Sequence, residues 1–110
     1  MVNTSPFEID SEWEAPDARL TLTGELDLAT VPRVTEAVEA ILARDAGRVT
    51  IDLSGVSFMD SSGLRLLIVL ASSASAEGWT LALTRPTQQV LTLLRISGAA
   101  ENLPFIEGRG

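Results

Sequence analysis

The sequence predicts an α/β fold: a small mixed β-sheet, opened by an antiparallel hairpin and continued by parallel strands, packed with about three to four helices. Three observations predict it. Short stretches with apolar residues at every second position alternate with longer ones whose apolar residues recur at helical spacing. The first two strand-like stretches are separated only by Ala15-Pro16-Asp17, enough for a hairpin turn. Each later strand follows a helix-length segment, which is what a right-handed parallel crossover requires. A chain of 110 residues holds one core, so residues 1–110 are expected to form a single domain, with its core over about 18–98.

In order, Phe7-Glu8-Ile9-Asp10-Ser11-Glu12-Trp13 forms the first strand, with Phe7, Ile9 and Trp13 unequally exposed. Arg19-Leu20-Thr21-Leu22-Thr23 forms the second, with Leu20 and Leu22 toward the core. The chain leaves that strand through Gly24-Glu25-Leu26-Asp27. Thr30 then caps a helix that carries Pro32 in its first turn, where a missing N–H costs nothing. Val31, Val34, Val38, Ile41 and Leu42 fall on one face of this helix, and Gly47 suits the left-handed position after it. Val49-Thr50-Ile51-Asp52-Leu53 alternates as a strand, and residues 64–76, apolar at nearly every position, read as a well-buried helix closing at Glu77-Gly78. Trp79-Thr80-Leu81-Ala82-Leu83 is a short strand. Arg85-Pro86-Thr87 starts a last helix, in which Val90, Leu91 and Leu94 make an apolar stripe and Gly98 marks the stop. Leu103-Pro104-Phe105-Ile106 adds an edge strand or docks, since Pro104 interrupts a ladder.

Composition excludes several chemistries. Eight arginines, no lysine and 15 acidic residues give a formal charge of −7, which repels phosphate backbones and argues against direct nucleic-acid binding. Without cysteine there is no disulfide framework or thiol chemistry. Without histidine there is no Ser-His-Asp triad, phosphohistidine relay or His-ligated zinc. A Walker loop fails for want of lysine, and Gly55 and Gly63 are spaced wrongly for a dinucleotide fingerprint. The amino terminus lacks the pattern of a secretion signal, and the longest apolar run is far too short to cross a membrane. A soluble, cytoplasmic protein is expected, without cofactor or membrane insertion.

The chemistry-bearing stretch is Phe58-Met59-Asp60-Ser61-Ser62-Gly63-Leu64, where a strand hands over to a helix. Helix starts leave four N–H groups unpartnered, which Asp60, Ser61 or Ser62 can cap. The same partial positive charge favours a phosphate there. By itself this local pattern fits an ordinary cap. Asp27 and Asp60 together are weak evidence for a metal site, and each has a plainer role, Asp27 in a turn and Asp60 in a cap. Asp60 cannot activate Ser61 as a nucleophile without a histidine or lysine. A hydroxyl that accepts a phosphoryl group from another enzyme is the role left standing.

Gly24-Glu25-Leu26-Asp27, Thr30 and Ser57-Phe58-Met59-Asp60-Ser61-Ser62-Gly63-Leu64 together resemble the STAS domain family, and within it the bacterial anti-sigma factor antagonists. The resemblance runs from about Leu20 to Gly98. It implies a binding protein, not an enzyme, working by partner switching. The unphosphorylated antagonist binds an anti-sigma factor that is also a serine kinase and thereby releases a sigma factor. Phosphorylation of the serine after the motif's aspartate, here Ser61, breaks the complex, and a separate serine phosphatase resets it. On this reading Ser61 is the phosphorylation site, Asp60 orients the motif or the incoming phosphate, and Ser62 is a cap or second acceptor. Gly63 lets the partner backbone approach, and Asp27 and Thr30 complete the partner-binding surface, with a plain capping role for Thr30 equally open. The family also includes accessory or scaffold subunits of lipid-transport and stress-sensing complexes, which is the alternative. A weak hydrolase or ligand sensor at the carboxyl end of the sheet is a third reading, from a different class.

Overall fold

A computed structural model describes residues 7–84 and 86–106. The elements are β1 (Glu8–Glu14), β2 (Asp17–Leu26), α1 (Val31–Leu42), β3 (Arg48–Met59), α2 (Ser61–Glu77), β4 (Thr80–Thr84) and α3 (Gln88–Ser97), followed by a 3-10 turn, Ala100–Asn102. The sheet runs in chain order, β1-β2-β3-β4. β1 and β2 are antiparallel, paired from Glu8↔Thr23 to Glu14↔Asp17, and β2, β3 and β4 are mutually parallel. This is the mixed sheet that the hairpin and the helix-length crossovers predict.

The alternation on β2 and β3 supplies the centre of the core. Leu20, Leu22, Val49, Ile51 and Leu53 are fully buried, and Leu81 and Leu83 extend the same layer onto β4. Val34 and Val38 of α1, Leu67 of α2 and Val90 and Leu94 of α3 complete one continuous cluster. Two arginines of α1 and its end fasten β1 to the body. Arg33 donates to the Phe7 carbonyl at 3.0 Å and lies over the Phe7 ring, and Arg44 lies 4.4 Å from the centre of the Trp13 ring.

Several expectations need correction. β3 does not stop at Leu53 but continues to Met59, because two irregularities admit extra residues opposite β2. The pairing steps from Thr21↔Asp52 to Thr23↔Gly55, then from Gly24↔Val56 to Glu25↔Phe58. In consequence the inward residues are Leu53, Val56 and Met59, spaced by three and not two. Gly55 sits at the first irregularity, where a Cβ would lie 2.8 Å from the Leu22 carbonyl oxygen. Gly24 and Glu25, placed in a loop from sequence, belong to β2.

The left-handed residue after α1 is Asp45, with φ 67, and not Gly47. The helix α2 is not buried all round. It buries Gly63, Leu66, Leu67, Leu70 and Ala74, while Ile68 and Val69 are about half exposed. Leu91 is only half-buried on α3. The segment after α3 makes a single parallel bridge, Leu83↔Phe105, with Leu103 buried beneath it. Trp79 precedes β4 instead of opening it, and its indole N–H donates to Glu77.

Candidate functional site

Because β2, β3 and β4 are parallel, their carboxyl ends deliver three connections to one end of the sheet. The first is the turn from Asp27 to Thr30, the second the step from Met59 to Ser61, and the third the segment before Gln88. Backbone and side-chain bonds tie them together. The Asp60 N–H donates to the Leu26 carbonyl, and the Thr87 hydroxyl donates to the Val56 carbonyl.

Asp60 is the N-cap of α2. Its Oδ1 accepts the Ser62 N–H at 2.8 Å and the Gly63 N–H at 3.3 Å, satisfying two of the four otherwise unpartnered donors. With the cap on Asp60, Ser61 becomes the first residue of the helix, and it is exposed. Ser62 is half-buried behind it. Ser61, Ser62, Leu64, Arg65 and Ile68 line one open depression of about 350 Å³. A larger depression, about 600 Å³, lies at the opposite end of β2, where Glu12, Glu14, Asp17 and Arg19 line it, and it holds none of the motif residues.

The neighbouring turn is organised by Asp27 and Thr30. Asp27 Oδ1 accepts the N–H groups of Ala29 and Thr30. The Thr30 hydroxyl donates to the Glu25 carbonyl at 2.8 Å and accepts the Asp27 N–H at 3.0 Å. Thr30 therefore does not cap α1 through its side chain, contrary to the sequence expectation. It is buried and works inward, holding the turn against the end of β2.

Gly63 is also redirected. It is buried, and a Cβ there would lie 2.7 Å from Met59 Cγ and 2.9 Å from the Leu26 carbonyl oxygen. The close approach it permits within the chain is that of α2 onto β2 and β3. Asp27 and Asp60 both spend their carboxylates on local backbone N–H groups, and among the described residues no group of three potential metal ligands forms.

Sequence reasoning passed over the apolar part of this end. Leu28, at the tip of the Asp27–Thr30 turn, is 76% exposed, and Phe58, at the end of β3, is 47% exposed. Ile68 and Val69 present a further exposed apolar pair on α2, Ile68 sharing the depression with Ser61. The signal in the sequence was Leu28 itself, a large apolar residue in a turn otherwise made of Asp, Ala and Thr. Exposed large apolar side chains are candidates for contact with another protein.

The family model described as "Mlab, STAS domain" matches residues 9–107. The chain belongs to the STAS domain family. That match takes in β1 and the segment after α3, beyond the stretch of sequence resemblance from Leu20 to Gly98. An anti-sigma-B factor antagonist of Listeria monocytogenes is 31% identical over 80 residues, covering 73% of this chain and 70% of its own. Among solved structures, the anti-sigma factor antagonist SpoIIAA in its unphosphorylated form superposes with a TM-score of 0.76 at 20% identity, over 93% of this chain and 89% of its own. The Bacillus cell fate determinant SpoIIAA in its phosphorylated form gives 0.69 at 20% identity, over 94% and 91%. These superpositions carry the STAS fold, and no helix among the described residues of this STAS domain is long and apolar enough to cross a membrane.

Proposed function

We propose that this STAS domain is an anti-sigma factor antagonist, switched off by phosphorylation of Ser61. The observation that carries the reading is the exposed position of Ser61, first residue of α2, in a depression it shares with the exposed Ile68. The relatives named as anti-sigma-B factor antagonists support the function, and the phosphorylated SpoIIAA structure supports the kind of switch. The partner is an anti-sigma factor with serine kinase activity, and a serine phosphatase restores binding. The domain itself binds without catalysing, in the cytoplasm, and the ATP chemistry belongs to the kinase.

The parts have distinct tasks. The apolar groups supply contact area, and Asp27 and Thr30 shape the turn that presents Leu28. Asp60 and Gly63 fix where α2 begins, with Ser62 seated behind the acceptor. A phosphoryl group on Ser61 adds about 1.5 to 2 negative charges at neutral pH. Placed where the partner desolvates the surface, it brings into the contact a charged group that the partner surface does not match. Reversing occupancy from roughly 99:1 to 1:99 requires about 5.5 kcal/mol of differential binding, which a group central in a desolvated contact reaches and a rim charge does not.

Incubation with the cognate kinase and ATP, followed by mass spectrometry, tests the reading. Label is expected on Ser61 alone. Ser61→Ala should retain binding and resist labelling, and Ser61→Asp should bind at least tenfold more weakly. Label on another residue, or unchanged affinity after stoichiometric phosphorylation of Ser61, overturns it.

A further inference from the structure

We propose that Arg65 is the positioning residue for a phosphoryl group on Ser61. Its guanidinium closes on the phosphate from one helical turn away, so modification adds negative charge and occupies the depression's own cation at once. The proposal rests on Ser61 being the acceptor and describes what the chain does with the group once it is there.

Three features carry it. Ser61 is the first residue of α2 and Arg65 the fifth, an i, i+4 pair whose side chains are neighbours on the helix surface. Helical side chains tilt toward the amino terminus, so a long side chain at 65 leans over the position of 61. The two residues also line the same depression, with Ser62, Leu64 and Ile68.

Three other arginines are engaged elsewhere. Arg19 is paired with Asp52 at 2.8 Å, Arg33 donates to the Phe7 carbonyl, and Arg44 stacks on Trp13. Arg65 is exposed and forms no ion pair among the described residues. Its planar fork of donors matches two oxygens of a phosphomonoester, a geometry that an ammonium cannot reproduce. The nearest negative neighbour in sequence is Asp60, whose Oδ1 is drawn to the Ser62 and Gly63 N–H groups. Asp27 and Glu25 stand on the adjoining turn and strand. Carboxylates near 61 disfavour a second charge there, which Arg65, lining the same depression, offsets.

The test needs no kinase. Phosphoserine is inserted at position 61 during translation through a reassigned codon, and the phosphate is titrated by 31P NMR in the otherwise wild-type chain, Arg65→Gln and Arg65→Lys. Arg65→Gln should raise the midpoint of the second phosphate ionisation by about half a unit, with Arg65→Lys between the two. The difference should shrink in about 0.5 M salt, as for any exposed pair. Arg95→Gln, on α3, is the control and should leave the midpoint unchanged. Far-UV circular dichroism confirms that each variant is folded. A midpoint in Arg65→Gln within about 0.1 unit of wild type, or a shift matched by Arg95→Gln, overturns the proposal. Kinase labelling at another residue would instead overturn the acceptor reading and leave this titration intact, so the two failures are distinguishable.

Discussion

A missing methyl group at position 63 decides how closely α2 seats on the sheet. A Cβ at that position would meet Met59 Cγ at 2.7 Å and the Leu26 carbonyl oxygen at 2.9 Å, and the second of these is backbone that cannot swing aside. Gly63→Ala should therefore destabilise the domain by about 1–3 kcal/mol, measured by urea unfolding, and push the start of α2 outward. Unchanged stability would mean that the helix end has slack. Asp52 offers a second test at this scale. Burial works to raise its pKa, but the Ser54 N–H and hydroxyl and the Arg19 guanidinium outweigh it, and the net shift is downward. A carboxyl with a lowered folded value contributes stability that is present above its unfolded value of about 4 and is lost as pH falls through the folded one. Asp52→Asn should thus lower the urea midpoint at pH 7, and the gap from wild type should close in strongly acidic solution. Arg19 is 43% exposed, so salt screens part of the effect.

Among the elements, β3 shows why the strand is half hidden in the sequence. Through Leu53 its inward residues alternate and the period is plain. From there they fall at Leu53, Val56 and Met59, so the second half looks like loop to any reading based on period two. By contrast the body of α1 was legible, since Val34, Val38 and Ile41 keep one helical stripe. The apolar run of α2 misled in the other direction. Its length of apolar residues suggested a well-buried helix, whereas Ile68 and Val69 are about half exposed. Leu28→Ser and Phe58→Ser should each weaken binding to the anti-sigma factor tenfold or more, with the melting temperature held within a few degrees, because neither side chain belongs to the core. Calorimetric titration against the cognate partner checks this, and unaltered affinity in both variants would move the docking surface elsewhere.

For the molecule as a whole, one hydrophobic cluster joins all four strands and the three helices, so unfolding is expected to be a single cooperative event. Leu67→Ala, at a fully buried position, should cost about 2–5 kcal/mol and shift the transition equally by Trp fluorescence and by circular dichroism. Separated transitions would show that α3 and the segment after it unfold on their own. At this scale the sequence conveyed the element order and the sheet topology, because hairpin and crossover lengths constrain them. It also put a helix cap among Asp60, Ser61 and Ser62, and Asp60 fills it, with the helix beginning at Ser61 instead of Leu64, since capping is local chemistry. What it left out, the inward duty of Thr30, the intramolecular contact at Gly63 and the outward apolar groups, depends on which segments meet in space. The two extra residues in β3 have a last effect on the whole. They lengthen that strand's path relative to β2 without turning its core-facing side chains outward, so the height at which the serine stands above the sheet is set separately from the packing beneath it. Evolution or an engineer has there a screw thread for raising or lowering the contact, with the foundation left untouched.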